Sequence, residues 1–421
     1  MSRRRHAVPS PAPPQRVSSA PQSRRILLQG VACVLGAALT AGADPARFQL
    51  QVLDPVFIAY QRDVGDIDQD GDMDVVAVQE GQKSLQVFRA PEWTRSTLVT
   101  FSGAFPYPRA DDLKLADVDG DGDLDLLTRL GPGPSSDDAG VAVWCENLGR
   151  GKRFATHRIG TSPAYVKDIV VADFDRDHRP DVALRMDGAT QIWIQEKDRK
   201  WTEVILTHPS HEGMGAGDLD ADGDPDLVMN GFWFRTPDSP AAARMAAKYR
   251  RETIDAAWFN QKGDWTANSC KVAVGDFDRD GHQDVALSQS ERPGYAVAWY
   301  RSTTSRGQGP WTRHDIAVVD YCHTLQAADW DLDGDTDLLV GGMTQSRHRG
   351  LKLLLNAGGG TGWTSLVIQT NGSYSAECGD LDGDGDTDIV GIQDWNAAPT
   401  YLYRNRVHAP LPSPKTVRRR K

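Results

Sequence analysis

The sequence predicts an all-β fold: a seven-bladed β-propeller with four-stranded blades, its N-terminal strand closing the last blade. Three observations carry this expectation. A nine-residue acidic loop, D-x-D-x-D-G-x-x-D, occurs seven times, starting at Asp66, Asp117, Asp173, Asp218, Asp276, Asp329 and Asp380. Its starts lie 45 to 58 residues apart, a period that belongs to propellers, solenoids and arrays. Each interval holds several short runs of β-forming residues separated by turn residues, the pattern of one propeller blade.

Taken in order, residues 1–43 read as an export signal. Arg24 and Arg25 precede an apolar or small stretch from Ile26 to Leu39, broken only by Gln29, and Ala41-Gly42-Ala43 offers a cleavage site. The stretch is short for a membrane span. Ser23-Arg24-Arg25-Ile26-Leu27-Leu28 resembles a twin-arginine signal, with Leu27 where Phe is usual. General secretion and an uncleaved anchor are the other two readings. A periplasmic, cell-surface or extracellular location is expected, with no membrane span once the signal is removed. The propeller is placed at residues 44–407 and a Pro-rich, basic, disordered tail at 408–421.

Within a repeat, an apolar strand ends in Gly or Ala plus Asp, as in Val274-Gly275-Asp276. The last Asp of the loop opens a second strand, as in Asp284-Val285-Ala286-Leu287. A third strand carries an aromatic (Val141-Ala142-Val143-Trp144; Gln191-Ile192-Trp193-Ile194), and a fourth often opens with Trp (Trp201, Trp363). The last repeat has no fourth strand. Phe48-Gln49-Leu50-Gln51-Val52 is an orphan strand ahead of the first loop, so it is expected to complete blade seven and remove the exposed edges. Residues 236–249 interrupt the fourth repeat, and 241–245 read as a helical turn on the rim.

The loops and their strands resemble the FG-GAP and VCBS repeat family, whose best-known relatives form the integrin α-chain propeller. The resemblance covers about residues 48–407. It implies Ca²⁺ in five to seven sites, with carboxylates from loop positions one, three, five and nine and a carbonyl from position seven. The implied ligands are Asp66, Asp68, Asp70 and Asp74; Asp117, Asp119, Asp121 and Asp125; Asp173, Asp175, Asp177 and Asp181; Asp218, Asp220, Asp222 and Asp226; Asp276, Asp278, Asp280 and Asp284; Asp329, Asp331, Asp333 and Asp337; and Asp380, Asp382, Asp384 and Asp388. The chemistry agrees, because calcium is a hard cation that takes six to eight oxygens in irregular geometry. An EF-hand is excluded: no Glu stands at position twelve, and position nine opens a strand. The extra glycines Gly120 and Gly383 are expected only to loosen their loops. The third loop has His178 in place of Gly, followed by Arg179-Pro180, and is expected to bind more weakly.

Charge points the same way. The seven loops hold 33 of the 58 acidic residues. Removing the six Arg of residues 1–43 from 47 basic residues leaves 41 against 58, a net charge of −17. Seven calcium ions would bring that to about −3. An acidic surface excludes nucleic acid as a partner, and a monomer is expected. Without Cys33, the four cysteines form no disulfide framework, although Cys270 and Cys322 open adjacent blades and could pair.

Six places before each loop stand Tyr60, Asp111, Lys167, Glu212, Cys270, His323 and Tyr374. They are expected to ring one mouth of the central channel, with Arg109, Asp112, Asp168, His211, Lys271 and Tyr321 beside them. His208, His211, Glu212 and His323 are a candidate second metal cluster. The leading functional reading is a binding module for a glycan or a surface protein, with Trp233, Trp311 or Trp395 stacking on sugar. The alternative is a carbohydrate-active enzyme, a lyase or a dehydratase resembling aldos-2-ulose dehydratase, working at the mouth. A purely structural module is the third reading. No residue matches a catalytic motif.

Overall fold

The computed structural model describes residues 47–407, apart from 80–81, 103–108, 133–138, 210 and 303–308. The export signal and the tail expected at 1–43 and 408–421 lie outside the described residues. The chain forms seven four-stranded antiparallel sheets. Their first strands, Gln61–Gly65, Arg109–Ala116, Val166–Ala172, Met214–Gly217, Cys270–Gly275, Cys322–Ala328 and Ser375–Gly379, touch their neighbours in a closed ring. These are the innermost strands.

Closure follows the expected route. Phe48–Asp54 pairs with Ala397–Asn405, so the N-terminal strand is the outer strand of blade seven. The rim insertion is helical, with Pro240–Ala243 followed by a 3₁₀ turn, Ala246–Lys248. Among the described residues, no helix is long and apolar enough to cross a membrane.

The core is distributed rather than central. Seven apolar clusters fill the seven gaps between blades, and each draws on both neighbours. Burial of apolar area is the main stabilising term, so each blade depends on the next. The second residue of every acidic loop joins this packing. Ile67, Val118, Phe174, Leu219, Phe277, Trp330 and Leu381 are all buried against the following blade. The loops are therefore plugged into the core through this residue. Cys270 and Cys322 are separate, buried thiols, so the pairing that the sequence left open does not form.

Candidate functional site: acidic loops and channel mouth

The acidic loops follow the C-terminal ends of the innermost strands. In all seven, the first Asp accepts backbone N–H bonds from the fifth and sixth residues at 2.8–3.1 Å. The sixth residue must take a left-handed conformation, which glycine adopts without strain. His178 takes it too, at φ 65°. The fourth position is also left-handed in every loop, with φ between 54° and 76°. Gly120 and Gly383 therefore relieve strain there, which corrects the expectation that they loosen the loop.

The ninth Asp is buried in every loop. Its Oδ1 accepts an N–H from the end of the third strand at 2.7–2.9 Å, from Ala90, Asn147, Gln195, Thr236, Ser302, Asn356 and Asn405. Burial pushes these carboxyls up, to about 7 for Asp74, Asp125, Asp284, Asp337 and Asp388 and about 8 for Asp181 and Asp226. In six loops, Oδ1 of the third Asp (Asp68, Asp119, Asp175, Asp220, Asp278, Asp331) is buried without a hydrogen-bond partner. Buried acceptors that lack donors are costly. In the first four loops this Asp has a carboxylate oxygen within 4.8 Å of those of two loop neighbours, and the orphaned oxygens fit a hard cation.

The third loop differs. Nη1 of Arg244, from the rim insertion, lies 2.5 Å from Asp175 Oδ2, and its Nε lies 2.5 Å from Glu196 Oε1. Arg179 pairs with Asp177. The fourth loop also holds two guanidinium groups, Arg235 on Asp220 and Arg176 on Asp222 and Asp224, so His178 in place of glycine is what is peculiar to the third.

At the opposite ends of the innermost strands, a cavity of about 880 Å³ opens. Tyr60, Lys167, Glu212, His323 and Tyr374 line it, as the six-before register predicts, joined by Lys271 and Tyr321. Other expected members do not line it. Cys270 is buried against the Glu212 carbonyl. The side chains of Arg109 and Asp111 lie outside the described residues. Asp112 and Asp168 sit deeper in the channel, where each accepts an N–H from the next blade, Ile169 and Gly213. They tie blades together rather than widen the mouth.

The candidate His cluster does not assemble. His208 bonds Thr190 Oγ1 at 2.9 Å, and His211 faces Asp187 and Trp265. His323 and Glu212 do meet, but with Glu291, which the sequence reading missed. His323 Nε2 lies 3.8 Å from Glu212 Oε1 and 3.6 Å from Glu291 Oε1. Its Nδ1 donates to the Tyr374 carbonyl at 2.8 Å, and its ring stacks on Tyr374 with centroids 4.2 Å apart. Burial and then Lys271 push His323 down to about 3. Burial, reinforced by Glu212, pushes Glu291 up to about 7. Burial opposes the Glu212 charge, but Lys271 and His323 outweigh it and hold that carboxyl below its ordinary range.

Tryptophan placement singles out this cavity. Trp265 is 66% exposed and Trp395 50%, and both line the mouth. The other ten are buried or half-buried. Trp233 is fully buried between blades and cannot be the sugar platform that the sequence suggested. Trp311 packs against the same cluster.

A profile of the FG-GAP-like repeat matches residues 66–128, 173–229, 276–340 and 329–391, together more than half the chain. The chain belongs to the FG-GAP-like repeat family. No curated protein matches it. Among solved structures, an Agrocybe aegerita lectin that recognises non-reducing terminal N-acetylglucosamine is similar, with TM-score 0.51 and 15% identity over 76% of this chain and 81% of that one. BBS1N, solved in complex with ARL6DN, gives TM-score 0.54 and 11% identity over 87% and 97%. A chain of the mitotic checkpoint complex gives 0.53 and 10% over 92% and 99%. These likenesses concern the fold.

Proposed function

We propose that the protein is an exported, calcium-stabilised propeller that binds a glycan at the mouth of its central channel. The observation that carries this is the pairing of the two exposed tryptophans, Trp265 and Trp395, on the rim of one polar cavity. Flat indole faces stack on the apolar faces of sugar rings, while converging polar groups fix orientation. A similarly folded lectin that recognises a terminal sugar is a fold-level precedent. Calcium in the loops serves the scaffold. Carboxylates at positions one, three, five and nine would hold it, and the orphaned third-position oxygens support that reading. A bound ion supplies charge compensation to loops that otherwise repel, and the third loop, where His178 replaces the glycine and Arg244 and Arg179 enter, is the weakest candidate.

A glycan array probed with the full-length chain, in calcium and in chelator, tests the reading. Retention on defined glycans in calcium is the expected result. Absence of binding to any glycan, by protein shown to be folded, would refute it. The enzyme reading keeps one observation in its favour: His323, Glu212 and Tyr374 share the cavity, the groups that acid–base work on a sugar needs. Incubation with acidic polysaccharides and keto-sugars, followed by product analysis, separates the two. Turnover that disappears in His323→Ala would move the function from binding to catalysis.

A further inference from the structure

Three acceptors face one another at the channel mouth. Glu212 comes from the segment entering blade four, Glu291 follows the second strand of blade five, and His323 lies on the first strand of blade six. One ligand atom from each lies within 4.8 Å of the others. Because Nδ1 of His323 donates to the Tyr374 carbonyl, Nε2 of the neutral ring is a lone pair. That lone pair points at two carboxylates from 3.6 and 3.8 Å, with no hydrogen-bond partner among the described residues. His323 is 7% exposed and Glu212 likewise 7%. Two buried acceptors and a half-buried one thus converge on a single point, where a shared cation would satisfy them alongside Lys271.

We infer that Glu212, Glu291 and His323 form a second kind of metal site, distinct from the acidic loops, that takes a divalent transition ion such as Zn²⁺, Mn²⁺ or Fe²⁺. The donor set decides the class. An imidazole nitrogen with two carboxylates suits these borderline ions better than calcium, which prefers oxygens throughout.

The surroundings match a ligand sphere. The backbone carbonyl on Nδ1 is the usual outer partner of a metal-bound histidine, fixing tautomer and ring angle. Tyr374 clamps the ring by stacking, and Ser290 Oγ hydrogen-bonds Glu212 Oε1, orienting that carboxylate. Lys271 Nζ stands 3.7 Å from the same oxygen, but Asp168 and Asp112 also attract it, so its charge has other partners when Glu212 turns to an ion. The cluster lines the cavity, so an ion held there would keep positions open towards it, as catalytic rather than structural sites do. An oxygen of whatever fills the cavity, a sugar hydroxyl or carboxylate, would complete the sphere. The inference does not depend on the glycan reading.

The test is a calorimetric titration of the chelator-stripped, full-length chain with Zn²⁺, in excess calcium so that the acidic loops are masked. One high-affinity Zn²⁺ per chain is expected. Glu291→Gln and His323→Asn should each weaken it by roughly 100-fold or more, beyond the loss of an outer-shell partner, and Ser290→Ala by about 10-fold. Co²⁺ gives a second readout, a visible absorption band that vanishes in Glu291→Gln. Melting curves in calcium confirm that each variant is folded, and Glu291, at the rim, tolerates the change best. Failure of the wild-type chain to take up Zn²⁺ under calcium would overturn the inference. So would uptake that both Glu291→Gln and His323→Asn leave unchanged.

Discussion

Single residues at the mouth were only partly legible in the sequence. The six-before register rests on strand periodicity, and it found Tyr60, Lys167, Glu212, His323 and Tyr374 because the innermost strands keep that period. It could not find Glu291 or Trp265, which sit on connections where no period applies. It misread Cys270, which the tight approach of Gly213 and Cys270 turns between blades. The sugar-stacking expectation misplaced Trp233, since aromatic residues on third strands fill the gaps between blades. His208 gives a test at this scale. It is buried beside Phe232 and Phe234, and burial pushes it down to about 4. The unfolded chain therefore binds its proton first. The stability that the neutral ring contributes is complete above pH 6.5 and is lost as pH falls towards 4. The loss amounts to about 3 kcal/mol at most. Denaturant melts at pH 7 and pH 4.5 should show this acid loss in the wild type and a smaller one in His208→Gln. Equal losses in both would contradict the assignment.

Elements were the most legible scale, because each loop repeats the same demands on its backbone. Loop position, strand order and ring closure all followed from the motif. What stayed hidden was the role of the second loop residue as a plug, and the clasp from the next blade onto its carbonyl. Asn356 Nδ2 donates to Phe277 O at 2.7 Å and Asn147 Nδ2 to Ile67 O at 3.0 Å. Asn356→Ala should cost about 1–3 kcal/mol, since it strands a buried carbonyl. Thermal melting in calcium checks this, and an unchanged midpoint would show that the clasp is idle. The rim insertion is a second case. Its helical turn was expected, but its delivery of Arg244 into the third loop was not, because only the folded ring brings residue 244 beside Asp175. If Arg244 and His178 keep calcium from that loop, the double variant Arg244→Ala with His178→Gly should gain one calcium per chain by equilibrium dialysis. No gain would mean that the loop binds already or cannot bind at all.

At the scale of the whole molecule, seven interblade cores and seven acidic loops make stability cooperative around the ring. Metal that binds only the folded form stabilises it by mass action, and ligand carboxylates crowded together repel without it. Chelation should therefore lower the melting temperature of the whole propeller in one transition, and excess calcium should restore it. A midpoint indifferent to chelator would remove calcium from the scaffold's energetics. The functional claim rests on the other face. Its most direct test is the affinity of the full-length chain, in calcium, for the strongest glycan found on the array, compared with Trp265→Ala, Trp395→Ala and a loop-face control, Trp363→Ala. Each mouth variant should lose about 2 kcal/mol, roughly 30-fold, with the control unchanged. Undiminished affinity in both mouth variants would contradict the account and place recognition elsewhere on the ring.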